Sequence, residues 1–106
     1  MSTKNETSKE VENMALKLTK AKIGISTQIR DEYLSAIVNG VANELKEING
    51  IEIDLENPTH LMYVVDLSVY RYENHDDKFL PINLQRRLHN LIIMYQKKAV
   101  DTHVER

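Results

Sequence analysis

Between Asn57 and Glu73 lies the segment that most restricts how this chain folds. Leu61, Met62, Tyr63, Val64, Val65, Leu67, Val69, Tyr70 and Tyr72 are apolar, and from Leu61 on only Asp66, Ser68, Arg71 and Glu73 interrupt them. Asn57 and Pro58 supply a capping side chain and a first-turn proline, so the segment reads as a helix over about 59–73. On a helix these side chains cover most of the circumference, and such a helix requires burial on every side. With 106 residues in all, the other elements are expected to leave part of that surface for another subunit to cover.

The rest of the sequence supplies three more helices. Three Gly and two Pro leave little room for a turn-rich β fold. Thr7 and Glu10 have capping-box spacing, Val11, Met14, Ala15, Leu18 and Ala21 recur at helical intervals, and Gly24 sits where a left-handed residue closes a helix. Ser26 or Thr27 is positioned to cap a second helix running to about Ile48, with Asn49-Gly50 as its stop. Its Tyr33, Leu34, Ile37, Val38, Val41, Leu45 and Ile48 fill an arc of roughly 140°. Gly40, at the edge of that arc, points to a close helix approach. Ile51, Ile53 and Leu55 alternate with Glu52, Asp54 and Glu56, as in a half-buried extended segment. A lone strand cannot complete its own ladder, so this segment pairs with another chain, packs as an extended loop over the helices or remains partly solvated, and the loop is preferred.

A fourth helix begins at Pro81 or Asn83 and continues to about Ala99, with Leu84, Leu88, Leu91, Ile92 and Tyr95 facing inward. Ile93 and Met94 project away from that stripe, flanked by Arg86, Asn90 and Lys97. They are either two tolerated exposed side chains or an intersubunit contact. The expected fold is therefore all-α, a small bundle of about four helices with a short extended segment or loop between the second and third. A polar lead-in over 1–6 precedes this single domain of 7–99, and a tail over 100–106 follows it.

Charge and composition bear on function chiefly by exclusion. Fourteen Lys and Arg against sixteen Asp and Glu give a formal net charge of -2, so the excess of positive charge that drives phosphate neutralisation is missing. Without cysteine there are no disulfides or thiolate metal sites. No apolar run long enough for a signal peptide or membrane span occurs in 1–22, and the protein is expected to be soluble, with no membrane partner. The charges are segregated: from Asp31 to Glu56 there are seven acids (Asp31, Glu32, Glu44, Glu47, Glu52, Asp54 and Glu56) and one base, Lys46, whereas Lys78, Arg86, Arg87, Lys97 and Lys98 stand in 78–98 with no acid. Such segregation suits head-to-tail association of copies into a ring, or mutual neutralisation within one chain.

Catalytic constellations are not visible. His60, His75, His89 and His103 share no i, i+4 spacing, so a zinc site is not expected. His75-Asp76-Asp77 offers cation ligands but reads as a solvated acidic turn. Asn39-Gly40 and Asn49-Gly50 are isolated glycines outside any phosphate-loop pattern, and Ser26, Ser35 and Ser68 lack a nucleophile-elbow context. Adjacent acids such as Asp31-Glu32 point in different directions on a helix. Neither enzymatic activity nor a cofactor is expected.

The stretch VVDLSVYRYENHDDKFLPINLQRRLHNLI, from Val64 on, resembles the hallmark region of bacteriophage head-tail connector proteins. An apolar helix ends in a Tyr-Glu-Asn-like sequence, a polar loop follows, and a Leu-Pro pair introduces a last helix with a Leu-rich repeat. Those features fall on Tyr70, Tyr72, Glu73, Asn74, Leu80, Pro81, Leu84, Leu88 and Leu91. The long second helix, with Asp31 and Glu32 early and Gly50-Ile51 after it, is similar to the family's organisation, so the likeness covers about 10–98. The resemblance implies a virion structural protein, made in the host cytoplasm and placed at the head-tail interface. It would form a homo-oligomeric ring of about twelve copies beneath the portal protein and above a stopper or tail-completion protein, with genomic DNA passing non-specifically through its lumen. The residues expected at subunit or portal interfaces are Tyr63, Leu67, Tyr70, Arg86, Arg87, Ile93, Met94, Lys97, Val100, His103 and Val104. The rival reading is a small helical DNA-binding regulator that uses the Arg86/Arg87 helix. The acidic loop holding Asp76 and Asp77 is longer than the turn that precedes a recognition helix.

Overall fold

A computed structural model describes the backbone of residues 2–54, 56–74 and 79–104, and the side chains within it except those of 2–9, 11 and 98–104. The chain forms four helices, α1 (Ser2–Ile23), α2 (Asp31–Glu47), α3 (Pro58–Glu73) and α4 (Ile82–Val104), with no strand among the described residues. The small all-α bundle expected from composition is the fold observed.

Local chemistry explains most of the helix ends. α1 starts at Ser2 rather than at the Thr7 box. It stops where Gly24 adopts φ 91° and the amides of Gly24 and Ile25 both donate to the Lys20 carbonyl, at 2.8 and 3.0 Å, the left-handed closure that glycine accepts without strain. The Ser26 and Thr27 caps are not used. Residues 25–30 turn the chain instead, the Asp31 amide donates to the Gln28 carbonyl at 3.2 Å, and α2 opens behind Arg30, which provides no side-chain cap. Asp31, in the first turn, meets both the helix dipole and Lys20 at 2.7 Å, a combination that local capping propensity does not anticipate. At the other end Gly50 takes φ 71° and the Ile51 amide donates to the Leu45 carbonyl at 3.0 Å, which turns Ile51 back into the core.

The segment after Gly50 is a loop. Ile51 is buried and Ile53 half-buried, while Leu55 lies outside the described residues. The Asp54 amide donates to His60 Nδ1 at 3.0 Å and the Glu56 amide to Asp54 Oδ1 at 3.0 Å, so side chains satisfy backbone groups that a strand would pair with a ladder. α3 follows, with Asn57 Oδ1 accepting from the Thr59 amide at 2.9 Å and Pro58 as its first residue, as its sequence predicts.

α3 is the axis of the molecule. It packs against α1, α2 and α4, and α1 also packs against α2. The core joins Ala15 of α1, Val38, Val41 and Leu45 of α2, Ile51, the α3 residues Tyr63, Val64, Val65 and Leu67, and Leu84 and Leu91 of α4. Of the apolar α3 residues only Met62 is exposed. The other helices and Ile51 cover Tyr63, Val64, Val65 and Leu67, whereas Leu61, Val69, Tyr70 and Tyr72 stay half-buried and Met62 exposed, so the apolar surface that α3 leaves uncovered is smaller than its wheel suggests.

The exposed apolar surface lies elsewhere. Tyr33, Ile48 and Tyr95, placed in inward stripes by periodicity, are exposed, because each stripe outruns the neighbour that would cover it. Gly40 is corrected too. A Cβ there would meet nothing within 4 Å, so no close approach within the described chain accounts for a glycine that costs α2 about 1 kcal/mol relative to alanine.

Candidate functional site

Among the described residues α4 touches only α3 of the helices, through Leu84 and Leu91, both buried, and Leu88 and Ile92, half-buried. Beyond Ile92 the helix continues to Val104. Its opposite face carries Ile82 (63% exposed), Ile93 (47%) and, a little further round, Met94 (62%), together with exposed Arg86, Asn90 and Lys97. At 100° per residue, Ile82, Arg86, Asn90, Ile93 and Lys97 fall within about 80° of the circumference. The result is a continuous apolar and basic stripe.

The other expected interface residues are dispersed. Tyr63 and Leu67 are buried in the core, 1% and 3% exposed, and offer no surface to a partner in this conformation; their place in a candidate interface is corrected. Tyr70 is half-buried, and its hydroxyl donates to the Phe79 carbonyl at 3.0 Å, which anchors the far end of the α3–α4 connection. Arg87 turns inward to Asp66 at 2.7 Å, with its guanidinium carbon 5.4 Å from the centroid of the Tyr63 ring. The side chains of Val100, His103 and Val104, like His75-Asp76-Asp77, lie outside the described residues. Of the expected residues, then, the structure gathers Arg86, Ile93, Met94 and Lys97 on the outer side of α4. Ile82 belongs with them, and its i+4 spacing to Arg86 is the signal that could have found it.

No motif or spacing singles out Asp66, yet it proves central. Its two carboxylate oxygens receive Lys22 of α1 at 2.6 Å and Arg87 of α4 at 2.7 Å, so one α3 side chain ties both flanking helices to the axis. Its partners stand 44 and 21 residues away, beyond any local pattern. A second tie is bidentate: Arg71 donates to both Glu44 oxygens at 2.5 and 3.0 Å, fixing α3 to α2.

These pairs resolve the charge pattern. Among the described residues the ion pairs are Lys20–Asp31, Lys22–Asp66, Arg71–Glu44 and Arg87–Asp66, and none joins 31–56 to 78–98. Neutralisation of one segment by the other inside the chain is not what these residues do. Arg86 and Lys97 on α4, and Glu32, Glu47 and Glu52 on and after α2, are exposed.

Two of the paired carboxyls are held below their ordinary values. For Asp66 burial works upward, and the hydrogen bonds from Lys22 and Arg87 outweigh it; for Glu44 the Arg71 hydrogen bond dominates. A carboxyl with a lowered folded value stabilises the fold above its unfolded value, near pH 4, and that contribution disappears as pH falls through the lowered one. Thermal midpoints should therefore fall between pH 5 and about pH 2, more steeply for the parent than for an Asp66→Asn, Glu44→Gln variant. Parallel slopes would show that these two ties contribute nothing.

The surface holds two open grooves. One, of about 380 Å³, lies along α1 beside Met14, Lys17, Lys20 and Asp31. The other, of about 590 Å³, runs between α2 residues Asn39, Gly40 and Asn43 and the acids Glu12 and Glu52, with Lys46 at its edge. No group of three or more His, Asp or Glu able to hold a metal occurs among the described residues, and no helix there is long and apolar enough to cross a membrane. Comparison with protein-family models, with curated proteins and with solved structures found no match.

Proposed function

We propose that the chain is a structural subunit of a virion, a head-tail connector whose copies form a ring beneath the portal and extend the DNA channel toward the tail. The observation that carries this reading is the outer face of α4. A helix attached on one side only presents exposed Ile82, Ile93 and Met94 between exposed Arg86 and Lys97, and apolar patches with a charged rim mark protein interaction sites. The likeness of Tyr70 to Leu91 to the connector hallmark supplies the biological setting. Burial of Tyr63 and Leu67 takes these two out of any contact surface and puts the weight of the reading on the outer face of α4.

The DNA-regulator alternative loses half of its arginine pair, because Arg87 is engaged by Asp66. A net charge of -2 suits a channel through which DNA slides without sticking.

The test is native mass spectrometry and negative-stain imaging of the purified chain, alone and mixed with the portal protein that this reading implies. Rings of about twelve copies, or capture of the chain by the portal, are expected. A chain that stays monomeric and unbound in both samples, or one that binds duplex DNA tightly with a steep salt dependence, overturns the reading.

A further inference from the structure

Gly40 occupies the middle of α2 with an ordinary helical backbone, since only Gly24 and Gly50 have positive φ. A Cβ at Gly40 would meet nothing, so neither conformation nor internal packing asks for glycine, and alanine would make a better helix. What remains is an approach from outside. Ala36, Gly40 and Asn43 lie on one exposed strip of α2, with Glu32 at one end and Glu47 at the other.

Glu32, Ala36, Gly40, Asn43 and Glu47 repeat the register of Ile82, Arg86, Asn90, Ile93 and Lys97 on α4. Both strips step by four, four, three and four residues, so each spans about 22 Å of helix and about 80° of circumference. The α2 strip is small in the middle and acidic at its ends, while the α4 strip carries apolar Ile82 and Ile93 and basic Arg86 and Lys97. Glu12 and Glu52, across the groove beside Gly40, add to the acidic side, against Lys46 alone. As wholes the two strips carry opposite charge, and laid side by side in either direction they bring Lys97 to a glutamate and Asn90 to the gap at Gly40. Among the described residues of one molecule α2 and α4 make no contact.

We infer that the outer face of α4 in one copy docks across Gly40 on α2 of the next copy. The contact rests on the ring reading and names its interface. Because it joins two different surfaces, each copy gives α4 to one neighbour and receives α4 from the other, the arrangement that closes a ring. A single helix pair buries less than the roughly 1,200 Å² of a stable interface, so the contact is weak between two free copies and is consolidated when the ring closes.

The cysteine-free chain permits a direct test. Gly40→Cys and Asn90→Cys variants, the pair that the shared register sets opposite each other, are prepared separately and mixed under oxidising conditions at about 1 mM, a concentration that populates millimolar contacts. A covalent dimer is expected in the mixture and in neither variant alone. Reversing both acids of the Gly40→Cys variant (Glu32→Lys, Glu47→Lys) should remove the dimer, and reversing both bases of the Asn90→Cys variant (Arg86→Glu, Lys97→Glu) should restore it. No dimer in the mixture, or an equal yield from Asn90→Cys alone, overturns the contact. Native mass at the same concentration, with portal, separates the two failures. Rings without the cross-link refute the α2–α4 interface and spare the connector reading, whereas monomers throughout refute both.

Discussion

Tyr63→Ala should cost the fold about 3–5 kcal/mol, a large share of the stability of a chain this size. Tyr63 is 1% exposed, on the helix that every other helix touches, so its removal opens a cavity that no single neighbour can close. The ring also lies under the Arg87 guanidinium, and its loss loosens the α3–α4 junction as well as the core. Tyr63→Phe should behave differently. The buried hydroxyl has no hydrogen-bonding protein partner among the described residues, and burial pushes its pKa above the ordinary phenol value although Arg87 pulls the other way. Removing an unpaired buried hydroxyl while keeping the ring leaves stability equal or higher. Urea midpoints followed by circular dichroism check both, and a Phe variant as damaged as the Ala variant would show that the hydroxyl is bonded after all.

What the sequence made legible was local. Asn57 and Pro58 announce the start of α3 because the cap bond closes over two residues, and Gly24 and Gly50 announce turns because a left-handed backbone is a single-residue property. The start of α2 is not legible, for the complementary reason. Ser26 and Thr27 are better caps than Arg30, yet the turn into α2 and the Lys20–Asp31 pair decide the boundary, and these depend on where α1 ends in space. The wheel of α3 calls for burial on all sides, but a wheel cannot count neighbours, so it does not show that α1, α2, α4 and Ile51 bury Tyr63, Val64, Val65 and Leu67 and leave Leu61, Val69, Tyr70 and Tyr72 half-covered. Of the candidate site, Ile93 and Met94 were legible as residues off the stripe. Arg86 and Arg87 look equivalent in sequence and are separated only by Asp66, which captures one of them.

Asp66 also explains how a helix with a single neighbour keeps its orientation. Leu84, Leu88, Leu91 and Ile92 set the depth of α4 on α3, and Arg87 on Asp66 sets its rotation, so that Ile82, Arg86, Ile93 and Lys97 point outward together. Partial exposure of Arg87, at 38%, and of Lys22, at 52%, limits what these pairs add to stability; their geometric role is the greater one.

Leu91→Ala tests that attachment. Leu91 is 3% exposed and is the last fully buried residue of α4 among those described, so truncation should cost about 2–5 kcal/mol. The loss should fall unevenly. α1, α2 and α3 keep their mutual contacts, whereas α4 has no second helix to hold it, and it should open as a unit before the rest of the fold. Hydrogen exchange read by mass spectrometry is expected to show amides of 84–97 losing protection in the variant while those of 34–45 and 61–70 stay near parental levels. Leu45→Ala, which cuts the α2–α3 core instead, should lower protection in all three regions. If Leu91→Ala depresses all regions equally, α4 is an integral wall of the core and not a separately hinged arm. If it behaves as expected, the same variant should also fail to assemble on the portal, because an α4 that is not held by Leu91 no longer presents its outer face in a fixed direction.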